Sequence, residues 1–308
     1  KMRDRGDYTG KMWITEIGAE AAPPEQPTQQ PTQSEVDQSH YLRAIYSGIL
    51  DDPLLHSEVA HVFWFKYEDF VPGNYTHKYG LVRLLENSAR DNYAPSGEVW
   101  MHKLAYKTYQ EVAFGYSADD PVDEAEARRN NWIYFAQTRQ AIAPEFGAYW
   151  LEKGGIERFG YPVSRPVYVH GILSQFFQRA VFEYHPEYAG SANEVLLRLV
   201  GSESTSGRFF EKPDPAVLSV DRTIFPETGY SLGGAFKRFW EQTGGLAVYG
   251  YPISEEVQEV SPTDGQTYTV QYFERNRFEL HPEATGTPFE VQVGLLGAEL
   301  FNGDLWWR

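Results

Sequence analysis

The feature that most constrains the fold of this chain is an internal repeat in its second half. Three blocks recur in the same order: FGAYWLEKGG at 146–155 as FKRFWEQTGG at 236–245, FGYPVS at 159–164 as YGYPIS at 249–254, and the segment 175–187 as 271–283. The second copy differs mainly by an insertion at 261–265, SPTDG, which lengthens a predicted hairpin turn. Self-similarity over this many positions indicates that one structural unit is built twice.

Each copy predicts a short helix followed by an aromatic β-hairpin. In the first copy Pro144 opens the helix and Gly154 closes it. Phe146, Tyr149 and Trp150 then form one apolar face. A helix this short is marginal by itself, so we expect it to pack on the hairpin, which the chain reaches through a Gly-Tyr-Pro corner. The two copies are therefore predicted to form an α+β repeat module of short helices and aromatic β-hairpins.

These units resemble LGFP repeats, which occur in secreted bacterial proteins and are associated with the cell envelope. The resemblance covers 132–203 and 222–299, and it rests on the helix ending in Gly-Gly, the Gly-Tyr-Pro-x-Ser corner and the aromatic strand. Tyr161 and Tyr251 stand where the family usually has Phe. The resemblance implies a secreted or envelope-associated protein whose repeats contact cell-wall glycan or another polysaccharide.

The first half of the chain is organised around the run KMWITEIG at 11–18. Apart from Lys11 the run is mostly apolar or β-branched, which predicts a strand buried on both faces of a parallel sheet. It carries Glu16 at its carboxyl end, where α/β folds place their chemistry. A second run, VAHVFWF at 59–65, predicts another buried parallel strand.

Two helices are predicted around these strands. Apolar residues at helical spacing predict a helix over 34–50, and Thr32 and Glu35 form a capping-box pattern at its start. A second helix is predicted over about 98–112. The order strand, helix, strand, helix is typical of right-handed crossover connections.

Residues 8–112 resemble the last quarter of a clan A glycoside hydrolase, which is a (β/α)8 barrel. The resemblance rests on WITEIG at 13–18, VFWF at 62–65 and YGLV at 79–82. It implies an α/β fold for residues 1–115, consisting of the last two βα units of a truncated TIM barrel.

The same resemblance implies roles for two side chains. Glu16 is expected to be the catalytic nucleophile, and Trp64 the substrate-binding platform beneath the sugar at the cleavage point. The alternatives are a rim carboxylate in a salt bridge for Glu16 and an ordinary core residue for Trp64. A retaining glycosidase also needs an acid/base carboxyl group about 5–5.5 Å from its nucleophile. In this clan that group ends the fourth strand, for which the chain has no strand left, so we expect the chain as given to be inactive.

Composition and charge limit the partners and the location. The 308 residues carry a formal net charge of −16, which argues against a nucleic-acid partner and against an anionic membrane surface. No apolar run approaches the roughly 20 residues of a membrane-spanning helix. Cysteine is absent, so disulfides and thiolate chemistry are excluded. The sequence starts at Lys1 without an initiator methionine, so we expect a truncation, a signal peptide upstream and an extracellular or cell-envelope location.

No cofactor or metal ion is predicted. His185-Pro-Glu187 and His281-Pro-Glu283 contain metal-ligating residue types, but they recur at the same place in both copies, after a strand. A proline turn flanked by polar residues explains them. The sequence also has no phosphate-cradling glycine loop and no Ser/His/Asp arrangement for nucleophilic catalysis.

The predicted domain organisation has six parts: 1–115 as the C-terminal quarter of a glycoside hydrolase barrel, 116–131 as an acidic linker, 132–205 as repeat unit 1, 206–221 as a linker, 222–300 as repeat unit 2 and 301–308 as a tail. Two functions are consistent with it. The first is the C-terminal portion of a secreted bacterial retaining glycoside hydrolase, acting on a polysaccharide or glycoside substrate. The second is a non-catalytic extracellular protein that binds carbohydrate or the cell envelope through its repeats.

Overall fold

The computed structural model describes residues 11–21, 31–65, 79–84, 99–169, 171–216, 219–262 and 264–302. The chain divides into two compact units, and the division falls between Ser117 and Ala118. The first unit holds the segment predicted as part of a barrel, and the second unit holds both repeats.

The first unit combines a parallel strand pair with helices. Its elements are β1 Met12–Ile17, α1 Gln33–Asp51, α2 Pro53–Glu58, β2 Val59–Trp64, β3 Val82–Leu84, β4 Val99–His102 and α3 Leu104–Phe114. As predicted, β1 and β2 are parallel, with Trp13 opposite His61 and Ile17 opposite Trp64. β3 and β4 form a separate antiparallel pair. Within the described residues, β1 and β2 pair with no further strand.

Helix α1 confirms the predicted helix between the two parallel strands. Its N-cap Thr32 accepts a hydrogen bond on its hydroxyl from Glu35 N at 3.3 Å. The Glu35 carboxylate accepts a hydrogen bond from Leu104 N at 3.0 Å, in the first turn of α3. The buried hydroxyls of Ser39 and Thr108 lie 2.6 Å apart between the two helices. Helices α1 and α3 are therefore joined by hydrogen bonds in the interior of the unit.

The prediction of a helix over about 98–112 is wrong at its start. The helix begins only at Leu104, because Val99–His102 forms strand β4 against β3. Valine and tryptophan favour a strand once a partner strand is in place, so tertiary pairing overrides the helical spacing seen in the sequence.

The prediction that β1 is buried on both faces is also wrong. Met12 and Trp13 are exposed, and Trp13 retains 60% of its accessible surface. The described residues cover one face, where Ile17 and Trp64 pack into a core with Leu42, Leu81, Ala105 and Tyr106. Apolar composition alone did not distinguish a strand covered on one side from a strand covered on two.

The second unit contains two copies of one arrangement. The first copy contains α4 Glu124–Arg129, β5 Ile133–Phe135, β6 Gln140–Ile142, α5 Pro144–Glu152, α6 Gly155–Phe159, β7 Val167–Val169, β8 Ile172–Phe176, β9 Val181–Tyr184, β10 Val195–Leu197 and α7 Val200–Ser204. The second contains β11 Thr223–Ile224, β12 Ser231–Leu232, α8 Gly234–Thr243, α9 Gly245–Tyr249, β13 Val257–Val260, β14 Thr267–Tyr272, β15 Arg277–Leu280, β16 Val291–Val293 and α10 Leu296–Asn302. The predicted tail 301–308 therefore begins inside α10, and 303–308 lie outside the described residues.

In each copy a two-stranded hairpin and two short helices precede a four-stranded antiparallel sheet and a last short helix. The predicted helix from Pro144 is observed as α5. A second helix, α6 or α9, follows the Gly-Gly pair and was not predicted. The helices and the sheet enclose a core that includes Phe146, Phe177 and Phe182 in the first copy. These rings are buried, as expected for units with little else to bury.

The Gly-Tyr-Pro corner has the same geometry in both copies. Gly160 and Gly250 each adopt φ 76° and ψ −168°, a conformation that is essentially restricted to glycine. Their carbonyl oxygens accept hydrogen bonds from the indole Nε1 of Trp150 at 3.2 Å and of Trp240 at 3.1 Å. The corner therefore fixes the helix pair to the strand that follows it.

The predicted acidic linker 116–131 is folded from Ala118 onward. Asp123 caps helix α4 by accepting a hydrogen bond from Glu126 N at 2.7 Å. Val122 and Ala127 are buried against the first repeat. The acidic composition of the segment did not reveal these apolar positions, which pack it against the repeat.

The described residues of the second predicted linker, 206–221, form neither a helix nor a strand. They nevertheless lie along the second copy. The Tyr230 hydroxyl donates a hydrogen bond to Phe210 O at 3.0 Å. Arg208 forms an ion pair with Glu259 on β13. The segment is therefore attached to the second repeat by side-chain contacts rather than by secondary structure.

The two copies exchange equivalent contacts across a shared interface. Four hydrogen bonds form two matching pairs: Arg179 Nε to Val293 O and Arg275 Nε to Leu197 O, each 3.2 Å, and Ala298 N to Gln178 O and Ser202 N to Glu274 O, each 3.1 Å. Gly201 and Gly297 lie against the other copy, where an added Cβ would overlap Phe273 O and Phe177 O respectively. Because each hydrogen bond from one copy is matched by the equivalent hydrogen bond from the other, the interface is isologous and approximately two-fold symmetric.

Candidate functional site

Glu16 lies one residue before the carboxyl end of β1, and its side chain is exposed. The neighbouring Ile17 pairs with Trp64 of β2, and Phe65 N donates a hydrogen bond to Ile17 O at 2.7 Å. The described residues give Glu16 no ion pair, whereas its interpretation as a rim carboxylate requires one. Glu16 is therefore held at the carboxyl end of a parallel strand pair with its carboxylate accessible.

The backbone immediately after Glu16 is held close to β2 and α1. A Cβ on Gly18 would overlap Phe65 O, so only glycine allows this approach. Gln38, which is buried on α1, donates from Nε2 to Ala19 O at 2.7 Å. These contacts restrict how far the end of β1 can move.

Lys103 is a second buried support for the segment that follows β1. Its side chain is fully buried, and Nζ donates a hydrogen bond to Ala21 O at 3.1 Å. A buried ammonium loses its hydration, so it needs acceptors of this kind. Neither Gln38 nor Lys103 was predicted from the sequence. The signal available for Gln38 was the helical spacing of Glu35, Gln38 and Leu42, which places it on the buried face of α1.

Trp64 lies in the core of the first unit. Its side chain is 9% exposed, and Nε1 donates a hydrogen bond to Tyr79 O at 3.1 Å. Its ring meets Tyr41 edge-on with centroids 6.4 Å apart. A platform that stacks on a sugar needs an open ring face. The described surroundings instead match the alternative interpretation as a core residue, and the platform role stays a prediction.

The exposed side of the β1–β2 pair carries aromatic side chains. Trp13 meets His61 edge-on with ring centroids 4.5 Å apart, and its ring lies 6.2 Å from that of Phe63. Parallel sheets are normally covered on both faces, so this side needs a cover that the described residues do not supply. In the predicted barrel it would line the interior, where side chains of the other strands would cover it.

The two His-Pro-Glu segments form local hydrogen bonds. His185 Nδ1 lies 2.9 Å from Glu187 Oε1, and His281 Nδ1 lies 2.9 Å from Glu283 Oε1. The hydrogen bond from His185 lowers the pKa of Glu187, and burial raises the pKa of Glu183 on the preceding strand. In the part of the chain that the structure describes, no three His, Asp or Glu side chains are grouped so that they could hold a metal ion.

Among the described helices, none has the length and apolar character that a membrane span requires. Comparisons with protein-family models, with curated proteins and with solved structures found no match for this chain. The function is therefore inferred from the residues and geometry of the chain itself.

Proposed function

We propose that this chain is the carboxy-terminal portion of a secreted bacterial retaining glycoside hydrolase, with Glu16 as its nucleophile. The observation that carries the proposal is the parallel β1–β2 pair, which brings an exposed Glu16 to the carboxyl end of the strands. Parallel strands connected through a helix are the unit of (β/α)8 barrels, and the catalytic side chains of such barrels lie at this end.

A carboxylate in this position is suited to attack an anomeric carbon. The backbone beyond Glu16 is held by Gly18, Gln38 and Lys103, and no described residue forms an ion pair with the carboxylate. A restrained backbone limits the positions that the nucleophile can occupy, which lowers the entropic part of the barrier. The acid/base carboxyl group, about 5–5.5 Å away in retaining enzymes, would come from a part of the protein outside residues 1–308. We therefore expect residues 1–308 alone to lack hydrolase activity.

In this proposal the two repeats associate the enzyme with cell-wall glycan or with its polysaccharide substrate. The aromatic residues of the repeat cores are buried and cannot stack on a sugar ring. Among the described residues of the second unit, four aromatic rings are exposed and available for such contacts: Tyr168, Tyr188, Phe209 and Phe289.

The test uses the longer protein that contains this chain, with an aryl glycoside as substrate. Glu16→Gln keeps the shape of the side chain but cannot form the glycosyl-enzyme intermediate, so kcat should fall by roughly a thousandfold or more with KM little changed. Glu16→Gly with added azide should regain turnover and give a glycosyl azide of inverted configuration. Glu20→Gln, at an exposed carboxylate four residues further on, is the matched control and should keep near-normal kcat. Near-normal kcat in Glu16→Gln would contradict the nucleophile assignment.

The placement of Trp64 favours a second function, which is non-catalytic binding to carbohydrate or the cell envelope. A degenerate barrel segment that only carries the repeats needs no open platform in its first unit, and the Trp64 ring is buried. Co-sedimentation of residues 1–308 with insoluble wall polysaccharide tests this function. Binding of the chain, together with normal turnover of the Glu16→Gln parent protein, would favour it over the hydrolase.

A further inference from the structure

The two repeats differ in how the segment preceding each one is held. Aligning Ser164 with Ser254 places Arg165 opposite Glu255, and residues 118–126 opposite 208–216. A residue with several hydrogen-bond donors in the first copy is thus replaced by one that only accepts in the second. The consequences of this exchange are visible in the contacts of the two segments.

The two preceding segments occupy equivalent places in space. Gln140 Nε2 donates a hydrogen bond to Asp120 O at 3.1 Å. Its counterpart Tyr230 donates from its hydroxyl to Phe210 O at 3.0 Å. The two segments therefore run along equivalent paths past their repeats.

In the first copy, Arg165 joins the preceding segment, 118–126, to the repeat by hydrogen bonds. Its Nε and Nη2 donate to Asp120 O at 3.1 Å and to Pro121 O at 2.9 Å. Its guanidinium also binds both carboxylate oxygens of Glu126, at 2.5 and 2.8 Å, and its backbone N donates to Ala118 O at 2.9 Å. Arg165 is 5% exposed, so the guanidinium fills the space between repeat and segment.

In the second copy Glu255 cannot bind backbone carbonyls. Its carboxylate instead accepts hydrogen bonds from Ser231 N at 2.5 Å, from Ser231 Oγ at 2.7 Å and from Arg222 Nη2 at 3.1 Å. A groove of about 340 Å³ remains between the segment and β13, with Phe210 and Val257 among its apolar lining. This volume lies within the range of small-molecule sites.

Two of the carboxylates that line this groove, those of Glu256 and Glu211, can accept further hydrogen bonds. Glu256 accepts a hydrogen bond from Arg222 Nη1 on Oε1 at 2.6 Å, and the described residues give its Oε2 no partner. Glu211 on the opposite wall is exposed and forms no ion pair with a described residue. Lys212 also lines the groove, but its Nζ lies 5.5 Å from the centroid of the Tyr230 ring. The lining holds three carboxylates, those of Glu211, Glu255 and Glu256, and one cation, Lys212. Arg222 pairs with Glu255 and Glu256 from beside the groove, which leaves the site one cation short.

We propose that this groove binds a guanidinium group, from free arginine or from an arginine side chain of a peptide. Arg165 is the internal template for the guanidinium, because it fills the same place in the first copy, where it donates to backbone carbonyls and to a carboxylate. That carboxylate, Glu126, is replaced by Ala216 in the second copy, so other carboxylates have to take its part. A guanidinium in the second copy would donate to Glu256 and Glu211, and its methylene stem would lie against the apolar lining. A lysine ammonium lacks the planar set of donors and fits less well. The site is independent of the proposed hydrolase.

Isothermal titration calorimetry of the full chain, with arginine amide and with a blocked Gly-Arg-Gly peptide as probes, tests the proposal. We expect saturable binding of one equivalent, weaker binding of lysine amide, and an affinity that falls between 50 and 500 mM NaCl. Glu256→Gln and Glu211→Gln should each weaken binding by about fivefold or more, because each removes a charged acceptor. Glu126→Gln in the first copy is the matched control and should leave binding unchanged.

Trp132 and Arg165 of the first copy stand opposite Arg222 and Glu255 of the second, so the double substitution Arg222→Trp with Glu255→Arg installs the first copy's residues in the second. It should abolish binding because the chain's own guanidinium then fills the groove. Glu211 is exposed, so Glu211→Gln tests the site without disturbing the fold, and thermal melts report folding of every variant. Tighter binding of the peptide than of arginine amide assigns the site to a peptide, and the reverse order assigns it to free arginine. Absence of saturable heat, or unchanged affinity in both Glu256→Gln and Glu211→Gln, would overturn the proposal.

Discussion

At the scale of single residues, Trp150 and Trp240 anchor the helix pair of each repeat. Trp150 is 6% exposed and donates its indole hydrogen bond to Gly160 O. Trp150→Ala should lower the free energy of unfolding of the second unit by about 3–5 kcal/mol, and Trp240→Ala, at a ring that is only partly buried, should lower it by less. Leu151→Ala, at a side chain that is 64% exposed, should cost less than about 0.5 kcal/mol. Urea denaturation measures all three. A tryptophan variant of unchanged stability that fails to bind wall polysaccharide would identify a ligand platform instead.

Gly160 permits a second residue-scale prediction. Its φ of 76° with ψ of −168° excludes side chains, and a Cβ would also overlap the Gln178 side chain. Gly160→Ala should therefore cost about 2–3 kcal/mol of stability. Gly171→Ala is the matched control, because its φ of 82° is strained but its surroundings are open, and it should cost about 1 kcal/mol. If thermal denaturation showed equal losses of stability in Gly160→Ala and Gly171→Ala, the overlap with Gln178 would contribute nothing to the loss at Gly160.

At the scale of elements, helix α4 is attached to the first repeat by the Arg165–Glu126 ion pair, whose nitrogen-to-oxygen distance is 2.5 Å. The hydrogen bond from Arg165 lowers the pKa of Glu126 in the folded state. A depressed folded pKa contributes stability above the unfolded pKa, and this contribution is lost as the pH falls through the folded pKa. Glu126→Gln should therefore destabilise the chain by about 1–2 kcal/mol at pH 7. The difference from the wild type should disappear as the pH falls below the folded pKa of Glu126.

The control for this prediction lies on the same helix. Glu124 pairs with Arg128 at 2.6 Å, but both side chains are largely exposed. Glu124→Gln should change stability by no more than about 0.5 kcal/mol at any pH. Chemical denaturation at a series of pH values compares the two variants. A loss in Glu126→Gln that persists unchanged in acid would mean that packing, rather than the ionised pair, attaches α4.

At the scale of the whole second unit, the reciprocal interface should hold the two repeats together without the segment that connects them. A protease site inserted after Ala216 would cut this segment, and we expect both halves to stay folded and to elute together in size-exclusion chromatography at micromolar concentration. Gly201→Val, which would push a side chain into Phe273 O, should weaken this association after cleavage. Gly207→Val is the control for strain without an interface clash: its φ of 78° is unfavourable for valine and should cost stability, but a Cβ there meets nothing within 4 Å, so the association should not weaken. Separation of the cut wild-type halves would show that the connection, and not the interface, pairs the repeats.

The sequence by itself determined the features that depend on neighbouring residues. The start of α1 at Thr32 and that of α5 at Pro144 follow from capping and from the preference of proline for the first helical turn. The parallel pairing of β1 with β2 follows from two apolar runs separated by a helix. The repeat, and the glycine corner at Gly160 that recurs in it, can be read directly from the letters.

The tertiary structure decided what depends on residues far apart in the chain. Val99–His102 is a strand because β3 lies beside it. The acidic segment before the first repeat is folded because Val122 and Ala127 pack against the repeat and Arg165 binds Glu126. The core position of Trp64 and the supports of the Glu16 segment depend on contacts with α1 and α3. The isologous pairing of the repeats and the open groove of the second copy also depend on contacts between distant residues. The local sequence determines which backbone conformations are favourable, but only the folded chain determines which distant side chains come into contact. Burial and binding depend on those contacts.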